Sequence, residues 1–245
     1  MSIRSLKQRV EFAMRVVIVE LERTTNRPHH DAALPTSEDT LWQELVACLL
    51  GSVVPFPVAQ AFAEHLGGAG LLKRGQHRFQ TQAYERDLAE ELSTPIPVNN
   101  GTRFSNQRYR FPRLRASHIR RTAEAVFGSG GSLTELLENA SDERLARQRL
   151  VASAVGIGPK QASLFLRNIG HARNLAILDV HVLRFVEKFL PASGMLGTPN
   201  SLRGYERVED SLRRYAETFG APLCMVDTAM WIVMRVLQQE ELRCL

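Results

Sequence analysis

The sequence predicts an all-α fold. Apolar residues recur at helical spacing along most of the 245 residues, period-two alternation is scarce, and no solenoid-length repeat appears. A chain of this length buries a real core without staples, either as one large domain or as two small lobes sharing a cleft.

Taken in chain order, the first expected element is a helix over 5–23, in the stretch MSIRSLKQRVEFAMRVVIVELERTT. Charges interrupt its apolar residues and no small-residue cleavage site follows, so it reads as part of the mature protein. Further helices are expected at 39–50, 57–66, 81–92, 115–127, 132–138, 142–154, 159–169, 179–190, 201–218 and 227–240. Between Ser93 and Phe111 the sequence STPIPVNNGTRFSNQRYRF has two prolines, an Asn-Asn-Gly and few aliphatics. That composition predicts a long loop or a connector between lobes, and a loop of this length usually has a function. No apolar run reaches the roughly 18 residues a membrane span needs. The expected setting is cytoplasmic and reducing, associated with the nucleoid if the ligand is DNA.

Composition excludes several classes of protein. Cys48, Cys224 and Cys244 are far apart and odd in number, with no Cys-x-x-Cys pair and no histidine at ligand spacing. A disulfide framework, a structural zinc and an all-cysteine iron–sulfur cluster are therefore not expected. No cofactor is expected, and no metal held by side chains. The formal charge of +5 is mild, but its distribution is not. Gly101 to Ala123 holds Arg103, Arg108, Arg110, Arg113, Arg115, Arg120 and Arg121 with no acidic residue, and Phe104, Tyr109 and Phe111 lie among them. A one-signed patch of this kind attracts a polyanion, DNA or RNA, although a solvated basic face paired to acids elsewhere would look the same.

The most informative segment is Leu150 to Gly170, LVASAVGIGPKQASLFLRNIG. A helix runs into Val155-Gly156-Ile157-Gly158, and Pro159 opens the next helix where its missing N–H costs nothing. Gly156 and Gly158 permit backbone angles and close approaches that a side chain forbids. Ile157 plugs the apolar space beneath. The first turn of the second helix offers free N–H groups and a positive dipole end, both suited to a phosphate. Lys160 sits in that turn, where it could meet a phosphate or act as an amine nucleophile. Nineteen residues later Asp179 follows the apolar run Ala176-Ile177-Leu178 and precedes a helix, a position where a carboxylate caps the backbone amides. The apolar run places this acid in a partly dry setting, which raises the prospect of chemistry beyond capping.

Gly-Ile-Gly-Pro-Lys-x-Ala, with LAILDVHVLRFV downstream, resembles the helix-hairpin-helix DNA glycosylase superfamily. Within it the chain is most similar to the compact prokaryotic second type of 8-oxoguanine DNA glycosylase/lyase. The segments YRFPRLRASHIRRTAEAVF and Val226-Asp227-x-x-x-Trp231 carry further likeness. The resemblance implies two helical lobes with the active site in the cleft between them. Residues 1–105, joined by helices from 190–245, would form one lobe, and residues 106–189 the hairpin lobe bearing Lys160 and Asp179. It implies that Lys160 is the nucleophile and Asp179 the catalytic acid. Gly156, Gly158, Lys160, His181, Arg110, Arg113 and Arg115 would meet the DNA backbone. Asp227 and Trp231, one helical turn apart, would line a base pocket. The carbonyls of Val155 and Ile157 could hold a monovalent cation. The expected activity is excision of 8-oxoguanine from damaged double-stranded DNA by a monomer, through a lysine Schiff base whose β-elimination cuts the strand. Excision of another damaged or modified base, including one of foreign DNA, and a non-catalytic nucleic-acid-binding module are the alternatives. Where those relatives end near a lysine, this chain ends Glu240-Glu241-Leu242-Arg243-Cys244-Leu245, and 67–107 is longer than the type suggests.

Overall fold

The computed structural model describes residues 3–25, 37–73, 81–99, 104–190 and 198–243. Eleven helices dominate these residues: α1 (Ile3–Thr25), α2 (Glu38–Leu50), α3 (Phe56–Gly68), α4 (Gln82–Ser93), α5 (Pro112–Phe127), α6 (Leu133–Glu138), α7 (Glu143–Ser153), α8 (Pro159–Asn168), α9 (Val180–Phe189), α10 (Leu202–Glu217) and α11 (Leu223–Arg243). Local signals set most of their starts. Ser132, Asp142 and Ser201 each accept an N–H from the first turn of the helix they precede, while Pro112 and Pro159 open α5 and α8. No described helix is long and apolar enough to cross a membrane.

The expected loop at 93–111 contains structure. Strands β1 (Ile96–Asn99) and β2 (Phe104–Gln107) pair antiparallel, with Ile96 opposite Gln107 and Asn99 opposite Phe104. Ile96 and Val98 point inward and are buried, while Pro97 and Asn99 face out. This is the period-two pattern of a half-buried strand. It spans only four residues and includes a proline, so it is too short to stand out in the sequence.

The chain forms two compact units. One, the hairpin unit, is Ala33–His171; the other, the terminal unit, is Met1–Ala32 with Ala172–Leu245. This division differs from the expected lobes: residues 33–105 share a unit with the hairpin, and Asp179 belongs with the chain ends. In the hairpin unit, α2 is buried on nearly every side. Trp42 meets Phe127 edge-on at 5.3 Å, and Phe62 meets Tyr109 at 5.4 Å. The Tyr109 hydroxyl donates to the Leu50 carbonyl at 2.6 Å, and burial pushes its pKa up to about 12 against the opposing influence of Arg115. In the terminal unit, Val10, Met14 and Ile18 of α1 pack with Phe185 and Val186 of α9, Leu212 of α10 and Met230 of α11. Each such buried aliphatic or aromatic side chain contributes about 1.5–3 kcal/mol.

Candidate active site

The hairpin is held from below. Gly156 has φ +81, and a Cβ there would lie 2.2 Å from His118 Nδ1, so both the angle and the space demand glycine. The Thr122 hydroxyl accepts the Val155 N–H at 2.9 Å and donates to the Val155 carbonyl at 3.4 Å. Ile157 is buried as its plug. Gly158 differs from Gly156: its φ is −97, and a Cβ would meet only Gln161 Oε1, at an ordinary 3.5 Å. Nothing in the fold around it requires glycine. Its lack of a side chain leaves the first turn of α8 open, and no side chain caps that turn.

Lys160 lies in that turn, half-buried, and no described acid pairs with its ammonium. Ala162, Ser163, Phe165 and Leu166 anchor the opposite face of α8, and the buried Arg147 donates to Ser163 Oγ at 3.3 Å. The amine therefore stands on a rigid helix start. The two carbonyls expected to hold a cation are not equivalent, because Val155 already receives the Thr122 hydroxyl. Backbone carbonyls of this kind are hard oxygen donors suited to an alkali cation. Among the described residues no group of three histidines, cysteines or acids could hold a metal ion.

The arginine cluster separates into two populations. Arg108, Arg110, Arg113 and Arg121 are exposed, and Arg110 lies over the Phe111 ring at 5.0 Å. Arg103 lies outside the described residues. Arg120 is paired with Glu85 at 2.7 Å and Glu124 at 2.9 Å. Arg115, expected on the DNA backbone, is instead 5 % exposed. It donates to the Ser52 carbonyl at 3.2 Å and lies 3.2 Å from His118 Nδ1. Since a guanidinium can only donate, the imidazole accepts through Nδ1 and is neutral. Burial, with Arg115 and Arg121 nearby, holds the His118 pKa below its ordinary value. Arg115 thus braces the turn after α2 against the histidine that underlies Gly156. Spacing along α5 decides the split, because the helix turns every fourth residue inward.

Asp179 belongs to the terminal unit, at the end of an irregular segment with no strand beside it among the described residues. Its Oδ1 accepts the N–H groups of His181 and Val182, each at 2.9 Å, and so caps α9. Its Oδ2 has no partner among the described residues, and the residue is half-buried. A capped carboxylate with one free oxygen is pinned in place yet still able to face a developing positive charge. Two residues on, His181 Nδ1 is buried without a described hydrogen-bond partner. Its ring meets Trp231 edge-on at 6.3 Å, while Arg235 lies over the indole at 5.0 Å. Trp231 is 36 % exposed, so it does not belong to the buried core.

Asp227, expected at a base edge, is engaged inside the terminal unit. It is 2 % exposed, and its Oδ2 accepts the Ile177 N–H at 2.6 Å. Because α11 begins at Leu223, Asp227 is inside the helix and caps nothing. Tyr205 and Glu209 of α10 also reach the segment before Asp179. Sequence reading missed both, since on α10 they look like ordinary members of an amphipathic face. Thr122 and His118 were missed for the same reason on α5.

A family model described as 8-oxoguanine DNA glycosylase matches residues 26–221. The chain is 30% identical over 200 residues to an 8-oxoguanine DNA glycosylase/AP lyase of Korarchaeum cryptofilum, covering 80% of this chain and 81% of that protein. It is 28% identical over 195 residues to the protein of the same name from Metallosphaera sedula, covering 80% and 82%. Among solved structures, the 8-oxoguanine DNA glycosylase of Methanocaldococcus jannaschii superposes with a TM-score of 0.65 at 25% identity, over 90% of this chain and 92% of that one. That of Thermotoga maritima does so with a TM-score of 0.61 at 28% identity, over 89% and 95%.

Proposed function

This chain belongs to the 8-oxoguanine DNA glycosylase family, and we propose that it excises 8-oxoguanine from duplex DNA and then cuts the strand, with Lys160 as nucleophile and Asp179 as its electrostatic partner. The enzyme is a bifunctional DNA glycosylase and lyase, and DNA is its macromolecular partner. Two separate observations support the residue assignment: Lys160 stands on an uncapped helix start with no described counter-ion, and Asp179 caps its own helix through Oδ1 while its Oδ2 has no partner among the described residues. We further propose that it acts as a monomer, in the cytoplasm at the nucleoid.

Excision requires the damaged nucleotide to leave the stack, at a cost of a few kcal/mol. The open N–H groups at the start of α8 and the exposed Arg110 and Arg113 grip the backbone meanwhile, and His181 provides a further phosphate contact. As the base departs with the electrons of its glycosidic bond, positive charge develops on the sugar and the Asp179 carboxylate stabilises it. The free amine of Lys160 bonds to C1′. Opening of the sugar ring gives a Schiff base, and loss of a C2′ proton then expels the 3′ phosphate. Trp231, partly exposed beside His181, is the candidate for stacking on the extruded base.

Sodium borohydride trapping across a panel of lesion duplexes tests this reading. The expected result is a covalent adduct on duplexes bearing 8-oxoguanine and none with Lys160→Gln. Efficient trapping on another lesion, with none on 8-oxoguanine, would overturn the substrate; full strand cutting by Lys160→Gln would overturn the nucleophile.

A further inference from the structure

The segment Arg173–Asp179 crosses the terminal unit without helix or strand, and its backbone groups are satisfied in an unusual way. Three consecutive N–H groups each donate to a side chain of another helix: Ala176 to Glu209 Oε1 at 2.8 Å, Ile177 to Asp227 Oδ2 at 2.6 Å, and Leu178 to Tyr205 Oη at 3.0 Å. The same Tyr205 hydroxyl donates back to the Ala176 carbonyl at 2.7 Å. Upstream, the Asn174 carbonyl accepts from Arg213 at 2.9 Å and the Arg173 carbonyl from the Cys224 N–H at 3.1 Å. In a sheet a neighbouring strand would supply these partners. Here α10 and α11 supply them, mostly through side chains.

Two of those side chains are acids with almost no solvent contact: Glu209 is 0 % exposed and Asp227 2 %. Both acids have further partners, Arg213 at 3.6 Å for Glu209 and the Thr228 hydroxyl at 3.4 Å for Asp227, yet burying carboxylates is still costly, and apolar contact alone would have kept the segment dry. What apolar contact cannot do is fix the segment along its own axis, because it has no direction. Hydrogen bonds of 2.6–3.0 Å can. The register so fixed passes directly to Asp179, whose N–H donates to the Ile177 carbonyl at 2.9 Å in a tight turn. Asp227 and Trp231, one turn apart on α11, hold both flanks: Asp227 grips Ile177, two residues before Asp179, and Trp231 packs on His181, two residues after it.

We propose that Tyr205, Glu209 and Asp227 are positioning residues that set the Asp179 carboxylate against the sugar, and that Asp227 does not read the base. This rests on the reading that Asp179 acts in base release. Misplacement by about 1 Å of a group in the reaction costs on the order of 10²-fold in rate. None of the three residues belongs to the unit that carries the hairpin, so their loss leaves the hairpin's part of the DNA grip intact.

The test is single-turnover excision from an 8-oxoguanine duplex, with borohydride trapping on a preformed abasic duplex as a separate report on Lys160. Tyr205→Phe removes the hydroxyl that meets the Leu178 N–H and the Ala176 carbonyl, and is expected to slow base release by about 10- to 100-fold. Its duplex Kd and its trapping at the abasic site should stay within about threefold. Asp227→Leu should behave alike, whereas Asp227→Asn keeps an acceptor for Ile177 and should recover to near the native rate with unchanged lesion preference. Should Asp227→Leu fail to fold, the Tyr205→Phe and Asp227→Asn results decide the matter. A folded Tyr205→Phe that releases base at the native rate overturns the proposal, as does an Asp227→Asn that loses preference for 8-oxoguanine. Asp179→Asn is the control: if it retains base release, the reading of Asp179 itself is what fails.

Discussion

Lys160 and Asp179 are mounted by opposite means. The signal that mounts Lys160 is in the hairpin's own backbone, a left-handed glycine and a proline at the first helical position, even though His118 of α5 fills the space below. Asp179 ends a segment whose backbone is held by side chains 27 to 50 residues further along the chain. A local mount carries its own sequence signature, whereas a distributed one is spread over unrelated helices. Both achieve rigidity, and they should fail differently when altered.

The largest effects belong to the two groups themselves. Lys160→Gln should abolish the trapped adduct and strand cutting while duplex binding and melting temperature stay close to native. Asp179→Asn and Asp179→Ala should both slow base release severely. They should separate in stability, because asparagine still caps α9 while alanine loses about 1 kcal/mol. Equal melting temperatures for the two would show that the cap contributes nothing.

Next come the hairpin glycines. Gly156→Ala meets both φ +81 and His118 Nδ1, and should destabilise the chain by about 2–4 kcal/mol, read by chemical denaturation. Gly158→Ala should cost less than about 1 kcal/mol, yet weaken duplex binding, since its Cβ intrudes only where a phosphate would lie. The reverse order would mean that the loop's rigidity resides elsewhere.

Among the arginines, Arg113→Ala should weaken duplex binding and reduce the slope of log affinity against log salt by about 1. Arg115→Ala should leave the slope unchanged and destabilise by about 1–3 kcal/mol, because the Ser52 carbonyl loses its partner. A salt slope that responds to Arg115 would restore it to the DNA surface.

The smallest effect is on pH dependence and is confined to the hairpin unit. Burial depresses the pKa of both His118 and His171; Arg115 and Arg121 add to it at His118, while Glu143 opposes it at His171. For a base so depressed, the unfolded chain takes up the proton first. Stability is therefore full above the unfolded value of about 6.5 and falls as pH drops below it. His118→Gln should flatten the decline in melting temperature between pH 7 and 5. An unchanged decline would exclude His118 as its source.

Much of this was legible in residues alone. Gly-Ile-Gly-Pro-Lys announced the hairpin because glycine and proline act through their own backbone. The cap at Asp179 was legible because capping is a contact with the next three residues. The start of α11 was placed late because Pro222-Leu223 reads as loop, and the short β1–β2 pair was missed because four residues hold too little period. The sequence groups Arg115 and Arg120 with the other arginines of the cluster because it gives only the sign of charge, and packing decides which charges reach water.

By itself, then, the sequence determined the helices, the hairpin, the lysine and the aspartate, each specified within a few residues of chain. The tertiary structure alone decided that Asp227 faces Ile177, that Tyr205 and Glu209 join it, and that Arg115 turns inward. Those contacts form between residues whose separation along the chain carries no period or motif, so they exist only once the helices have packed.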